Sequence, residues 1–266
     1  MNVSGSYCIA ATYCTPDSGP GKALQILTHG IGFDRSYWDF PAVHGRNYSY
    51  VNAALERGYS TFAYDRLGIG ASSHGDPINE VQAALQIEAL AYLTAGLRTD
   101  GLNGALDTAY EKTFHVGHSF GSAQTYAFTA RAARHGVHNV SDGIALTGFS
   151  GNTAFVPYFL FGGNFVSATS NPALASAYTE GYLAAGDASA VQANFFAPGQ
   201  FDPAVLAAAT NGGQPAAIGE LLTLAGTFNR TNAYSGPVLV VTGGKKASCF
   251  PLLPSSIFHN SSHKAH

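Results

Sequence analysis

Hydrophobic and polar positions along the chain fall into two recurring patterns. Short apolar runs bounded by glycine and polar residues predict buried strands. Leu24–Thr28 stops at His29-Gly30, and Ser60–Tyr64 stops at Asp65. Thr113–Val116, Gly143–Thr147 and Pro237–Thr242 complete the set. Between them lie segments with helical periodicity. Tyr50–Arg57 reads as a helix with Gly58 just past its end, Ile78 to Leu97 has helical spacing of Val81, Leu85, Ile87, Leu90 and Leu93, and a third segment spans Ala123 to His135. Strands alternating with helices predict an α/β protein with a doubly wound, mostly parallel sheet.

From about Asn152 to Asn232 the pattern breaks. This stretch is rich in Ala, Gly, Phe and Tyr, with helical spacing at Ala173–Ala185 and Pro203–Thr210 and no evident strand. Three parts are therefore expected: residues 1–151 as the N-terminal part of the core, 152–232 as a helical cap or lid, and 233–266 as the rest of the core, with one strand and an irregular tail.

Composition narrows the class. Hydrophobic residues make up 46% of the 266, enough for a packed core, while charged residues are only 11%. The net charge of −3 carries no basic or acidic block, which argues against nucleic acid as a partner. No run of about 18 apolar residues predicts a membrane span. The N-terminus lacks a basic start followed by an apolar run, so no signal peptide is read there. N-x-[ST] sequons at Asn2, Asn47, Asn139, Asn229 and Asn260 nevertheless point to the secretory route, with the cytoplasm as the alternative. Cys8 and Cys14 are close enough in sequence to bridge, leaving Cys249 over; three unpaired thiols are the other reading. The sequence leaves the oligomeric state open.

The chemistry concentrates at Gly117-His118-Ser119-Phe120-Gly121. A serine hydroxyl needs exposure, a base and donors for the oxyanion that forms. Glycines two residues either side allow a sharp strand-to-helix turn with Ser119 at its tip. One oxyanion donor should be the N–H of Phe120. The other should come from His29-Gly30-Ile31-Gly32, after the strand Leu24–Thr28, with Ile31 first and Gly32 as alternative. His29 and His118 are expected beside the substrate, as packing residues rather than as the base. Phe155, Tyr158, Phe159, Phe161 and Phe165 could roof an apolar pocket, or simply pack cap to core; Phe155 and Tyr158 are the substrate contacts expected from that group.

The motif order resembles the α/β-hydrolase superfamily (AB hydrolase-1-like). The resemblance rests on His29–Gly32, Tyr37-Trp38, Tyr64–Ser72, the Ser119 elbow and Pro237–Gly243, and covers about Cys8 to Gly244. With Tyr13-Cys14-Thr15-Pro16 it is similar, more narrowly, to secreted fungal uncharacterised serine hydrolases. Membership implies cleavage of an ester, lactone or related bond in a small molecule through an acyl-enzyme, with no metal and no organic cofactor. In that pattern Asp65 and Arg66 are mainly structural.

The chain departs from the pattern at the triad acid and histidine. The family's acid follows the last predicted strand, where Lys246 stands, or the strand before it, where Gly148–Asn152 offers no carboxylate. A lysine cannot stabilise an imidazolium. Asp187 and Asp202 fall in the predicted cap. After Lys246 come only 20 residues, with His259 as the candidate base ahead of His263 and His266. The tail reads as truncated or altered, so an unstable or inactive chain is expected. Two functions compete: a serine esterase, lipase or lactonase, and a catalytically impaired protein of the same fold. A metal- or nucleotide-dependent enzyme has no motif in support.

Overall fold

The computed structural model describes residues 5–152, 154, 156–228 and 231–243. A six-stranded sheet in the order β1-β5-β2-β6-β7-β11 forms its centre. These strands are β1 (Ala11–Cys14), β2 (Leu24–Thr28), β5 (Ser60–Tyr64), β6 (Thr113–His118), β7 (Gly143–Thr147) and β11 (Val238–Val241). β1 runs antiparallel to β5, and every other pairing is parallel. Between β2 and β5 lie a hairpin, β3 (Asp39–Val43) with β4 (Arg46–Ser49), and helix α1 (Tyr50–Leu55). Ser49 caps α1 by accepting from the Asn52 N–H.

Helix α2 (Ala83–Thr99), a four-residue turn α3 (Gly101–Gly104) and helix α4 (Phe120–Arg134) follow. α2 starts five residues later than its periodicity predicts. The Asp76 carboxylate takes the N–H groups of Ile78 and Asn79 and holds that stretch as a turn. The first helical N–H, on Ala83, is capped from afar by Thr223 Oγ1.

After β7 the chain forms α5 (Val156–Gly162), β8 (Phe165–Ser167), β9 (Tyr182–Ala185), α6 (Ala188–Phe195), α7 (Pro203–Asn211), β10 (Ala216–Ala217) and α8 (Ile218–Phe228). β8, β9 and β10 make a small antiparallel sheet where no strand is expected. Ala173–Ala185 is therefore not a helix. Asn171 turns the chain by accepting from Ala173 N–H, and Gly181 has a φ of +96°. Beyond it Tyr182 and Ala184 alternate inward, a strand period. Helix α8 does not lie over the site with the rest of this segment; it packs across α2 and α4 in the core helical layer.

Period-two alternation sorts the sheet's side chains onto two faces. Leu24, Ile26, Phe62 and Tyr64 pack with Ile87, Leu90 and Phe128 on one side. Leu27, Ala63 and Val116 pack with Trp38 and Val51 on the other. Parallel register brings Thr28, Tyr64, Gly117 and Leu146 level at the C-terminal ends, where ligands bind in open α/β sheets.

Candidate active site

Ser119 occupies the turn between β6 and α4 with φ 51° and ψ −113°. A side chain with positive φ costs on the order of 1–3 kcal/mol and persists only where its surroundings hold it. Those surroundings are specific. Ser119 N–H donates to the Thr147 carbonyl at 2.9 Å, and its own carbonyl accepts from Ala123 N–H at 3.1 Å. A Cβ on Gly117 would stand 2.5 Å from the Ser122 nitrogen, and one on Gly121 would stand 2.7 Å from the His29 carbonyl oxygen. Gly117 lets the first turn of α4 fold back against β6, and Gly121 lets α4 pass the end of β2.

The second loop comes up against the first. A Cβ at Gly30 would lie 3.2 Å from Ser119 Cβ, so the loop after β2 passes close to Ser119 at this glycine. Ile31 is buried against Phe120, Ala83 and Ala216, and Phe159 packs over this cluster. Phe120 opens α4, where the first-turn N–H groups have no partner within the helix. Neither its N–H nor that of Ile31 donates a hydrogen bond among the described residues. Gly32 has a φ of +85°, and its carbonyl accepts from Gln214 N–H of the cap segment.

His29 does not face substrate, contrary to expectation. It is fully buried, with Nδ1 paired to the Gly30 carbonyl and Nε2 accepting from Arg66 N–H at 3.0 Å. Burial, with the Arg66 charge beside it, holds its pKa well below 6.5, so the ring is neutral. It ties the 29–32 loop to the 65–72 loop. Asp65 is likewise committed, accepting from Arg35 and from Ala71 N–H. Arg66 and Glu220 form a completely buried ion pair that Gln86 joins. Arg66 also lies over the Phe120 ring, 4.6 Å from its centroid. His115 is buried between Thr94 and Ser141, and burial lowers its pKa to about 3.

His118, the residue before Ser119, closes β6. Its Nδ1 pairs with Thr147 Oγ1 at 2.9 Å, and its ring stacks on Tyr37 with centroids 4.6 Å apart. Both line a cavity of about 500 Å³ walled by the 33–50 segment and by α6 and α7. Sequence reasoning missed most of this wall. Its signal was the density of aromatic residues between Phe33 and Tyr50.

Tyr158 does not contact this cavity. It is 64% exposed on α5, and its neighbour Phe159 turns inward to Ile31 and Phe120. Phe155 and His259 lie outside the described residues. Cys8 and Cys14 are free thiols, not a disulfide. Cys8 is exposed, and Cys14 ends the half-exposed edge strand β1. No carboxylate occurs in Gly148–Asn152, and Lys246 lies outside the described residues. Among the described residues, no cluster of three His, Cys, Asp or Glu could hold a metal, and no helix is long and apolar enough to cross a membrane.

A family model described as "Alpha/beta hydrolase family" matches residues 25–256. Among solved structures, the chain is similar to epoxide hydrolase A from Mycobacterium thermoresistibile, at 16% identity over 89% of this chain and 79% of that one, with a TM-score of 0.52. It is also similar to a thioesterase domain from the curacin biosynthetic pathway, at 14% identity over 91% and 82%, with a TM-score of 0.50. At identities this low the likeness shows the fold alone. No curated protein matches the chain by sequence.

Proposed function

The chain belongs to the alpha/beta hydrolase family, and from that premise we propose that it cleaves ester-type bonds with Ser119 as nucleophile. The observation that carries this reading is the strained turn at Ser119, which Gly30 of the 29–32 loop approaches closely; the N–H groups of Phe120 and Ile31 are the oxyanion donors in this proposal. The serine Oγ attacks the substrate carbonyl carbon, and its proton passes to a base. The carbonyl oxygen becomes an oxyanion between the two N–H groups, an arrangement typically worth about 2.7–4 kcal/mol per donor. The alcohol departs with that proton, and water then releases the acid from Ser119. His259 is the candidate base in this scheme. Substrates are small and largely apolar, in keeping with the aromatic cavity beside the site. The segment containing α5 and Phe159 acts as the roof.

One observation favours a second reading, an impaired hydrolase. The loop after β7 carries no carboxylate, and a lysine occupies position 246. Hydrolysis of p-nitrophenyl acetate and butyrate by the wild type and by Ser119→Ala decides between them. The esterase reading expects at least a hundredfold loss in the variant; equal rates favour the impaired protein.

Passage through the secretory pathway is part of the same proposal. Asn47 and Asn139 are exposed sequon residues on the folded surface. Expression in a eukaryotic host should give a product whose mass falls on endoglycosidase treatment.

A further inference from the structure

The cavity beside the elbow is walled almost entirely by rings. Tyr37 and Trp38 come from the turn after β2, Tyr48 from β4, Tyr50 from α1, and Phe195 and Phe196 from the end of α6. Among the described residues, Val205 and Ala209 are its aliphatic walls. The rings already meet edge to face: Trp38 with Tyr37 at 5.2 Å and 86°, and Trp38 with Tyr50 at 5.3 Å and 65°. His118 links this cluster to the elbow, because Tyr37 stacks on it and Ser119 is the next residue.

We infer that this cavity is the subsite for a planar aromatic group of the substrate, so that the natural ester or lactone carries an aryl ring on one side of the scissile bond. The substrate assignment rests on the hydrolase reading above; the ring-binding site does not. Mixed edges and faces give an aromatic guest quadrupolar contacts in addition to apolar burial, whereas a saturated guest gains burial alone. A cavity of about 150 Å³ admits one benzene, so a volume of about 500 Å³ suits one ring or a fused pair with substituents. Aromatic walls also attract organic cations, but among the described residues no carboxylate lines this cavity to favour one.

Trp38 is the only tryptophan in the chain, so its fluorescence reports occupancy directly. The test titrates full-length Ser119→Ala with 2-phenylethanol and with 2-cyclohexylethanol, which is similar in size and more apolar. A saturable Trp38 response is expected, with the phenyl compound binding at least about threefold tighter. In the same background Ala209→Phe should weaken it by about tenfold by filling the space. Tyr48→Leu, at a half-exposed rim position that leaves the core untouched, should weaken it by about threefold.

Equal or tighter binding of the cyclohexyl compound overturns the inference. So does a folded protein with no saturable response, or binding that neither variant weakens. Ring binding without ester hydrolysis would sink the hydrolase reading and keep the subsite; hydrolysis without ring binding would do the reverse.

Discussion

The guanidinium of Arg66 lies 4.6 Å from the centroid of the Phe120 ring, and its charge is balanced by Glu220 from α8. Both side chains of the pair are fully buried. Glu220 Oε2 also accepts from Ala217 N–H, which ties the end of the cap segment to the pair. An ion pair thus stands behind the residue whose N–H is proposed to meet the oxyanion.

Removing one partner leaves a buried charge uncompensated. Glu220→Gln should cost about 3–5 kcal/mol, read as a lower urea midpoint. The double variant Arg66→Met/Glu220→Leu should recover most of that loss. A single variant with unchanged stability would show that the pair does not hold α8 to the elbow.

The elbow glycines make a sharper prediction. Gly121→Ala places a methyl against the Thr28 and His29 carbonyls, backbone that cannot yield cheaply. It should cost at least about 3 kcal/mol and abolish any Ser119-dependent activity. Gly226→Ala is the control: its Cβ meets nothing within 4 Å on α8, and helix propensity should stabilise it by about 0.5–1 kcal/mol. Thermal melts of the two variants compare them directly.

Two buried histidines set the response to acid. His29 and His115 both have folded-state pKa values below the ordinary 6.5, chiefly through burial. The unfolded chain therefore binds protons first as pH falls. Their stabilisation is complete above pH 6.5 and is lost progressively below it, for His115 down to about 3. At pH 5 the His115 contribution should have fallen by about 2 kcal/mol relative to pH 7, and His29 adds to the loss in the same direction. Urea midpoints at the two pH values measure this loss, and His115→Gln should remove the His115 part. A flat profile between pH 7 and 5 would contradict these environments.

Much of the frame was legible because buried parallel strands are continuous apolar runs. Leu24–Thr28, Ser60–Tyr64 and Gly143–Thr147 match the structure residue for residue. β1 escaped notice because Ala11-Thr12-Tyr13-Cys14 lies at a half-exposed sheet edge with no apolar run. β9 was masked by alanines, which favour helix in isolation, while the period-two burial of Tyr182 and Ala184 prevails in the fold. In the site, glycine spacing revealed Ser119 and its neighbouring loop. Glu220 was invisible, since its partner Arg66 lies 154 residues away. The aromatic cavity gathers rings from the turn after β2, the β3–β4 hairpin, α1 and the end of α6, and no local pattern announces such a meeting.

The central claim is that Ser119 is an activated nucleophile in this chain. Incubating the folded protein with a fluorophosphonate and mapping the adduct by peptide mass spectrometry tests it most directly. The account predicts a single stoichiometric adduct on Ser119, absent from Ser119→Ala. A cooperatively folded wild type that remains unlabelled at Ser119 would contradict it.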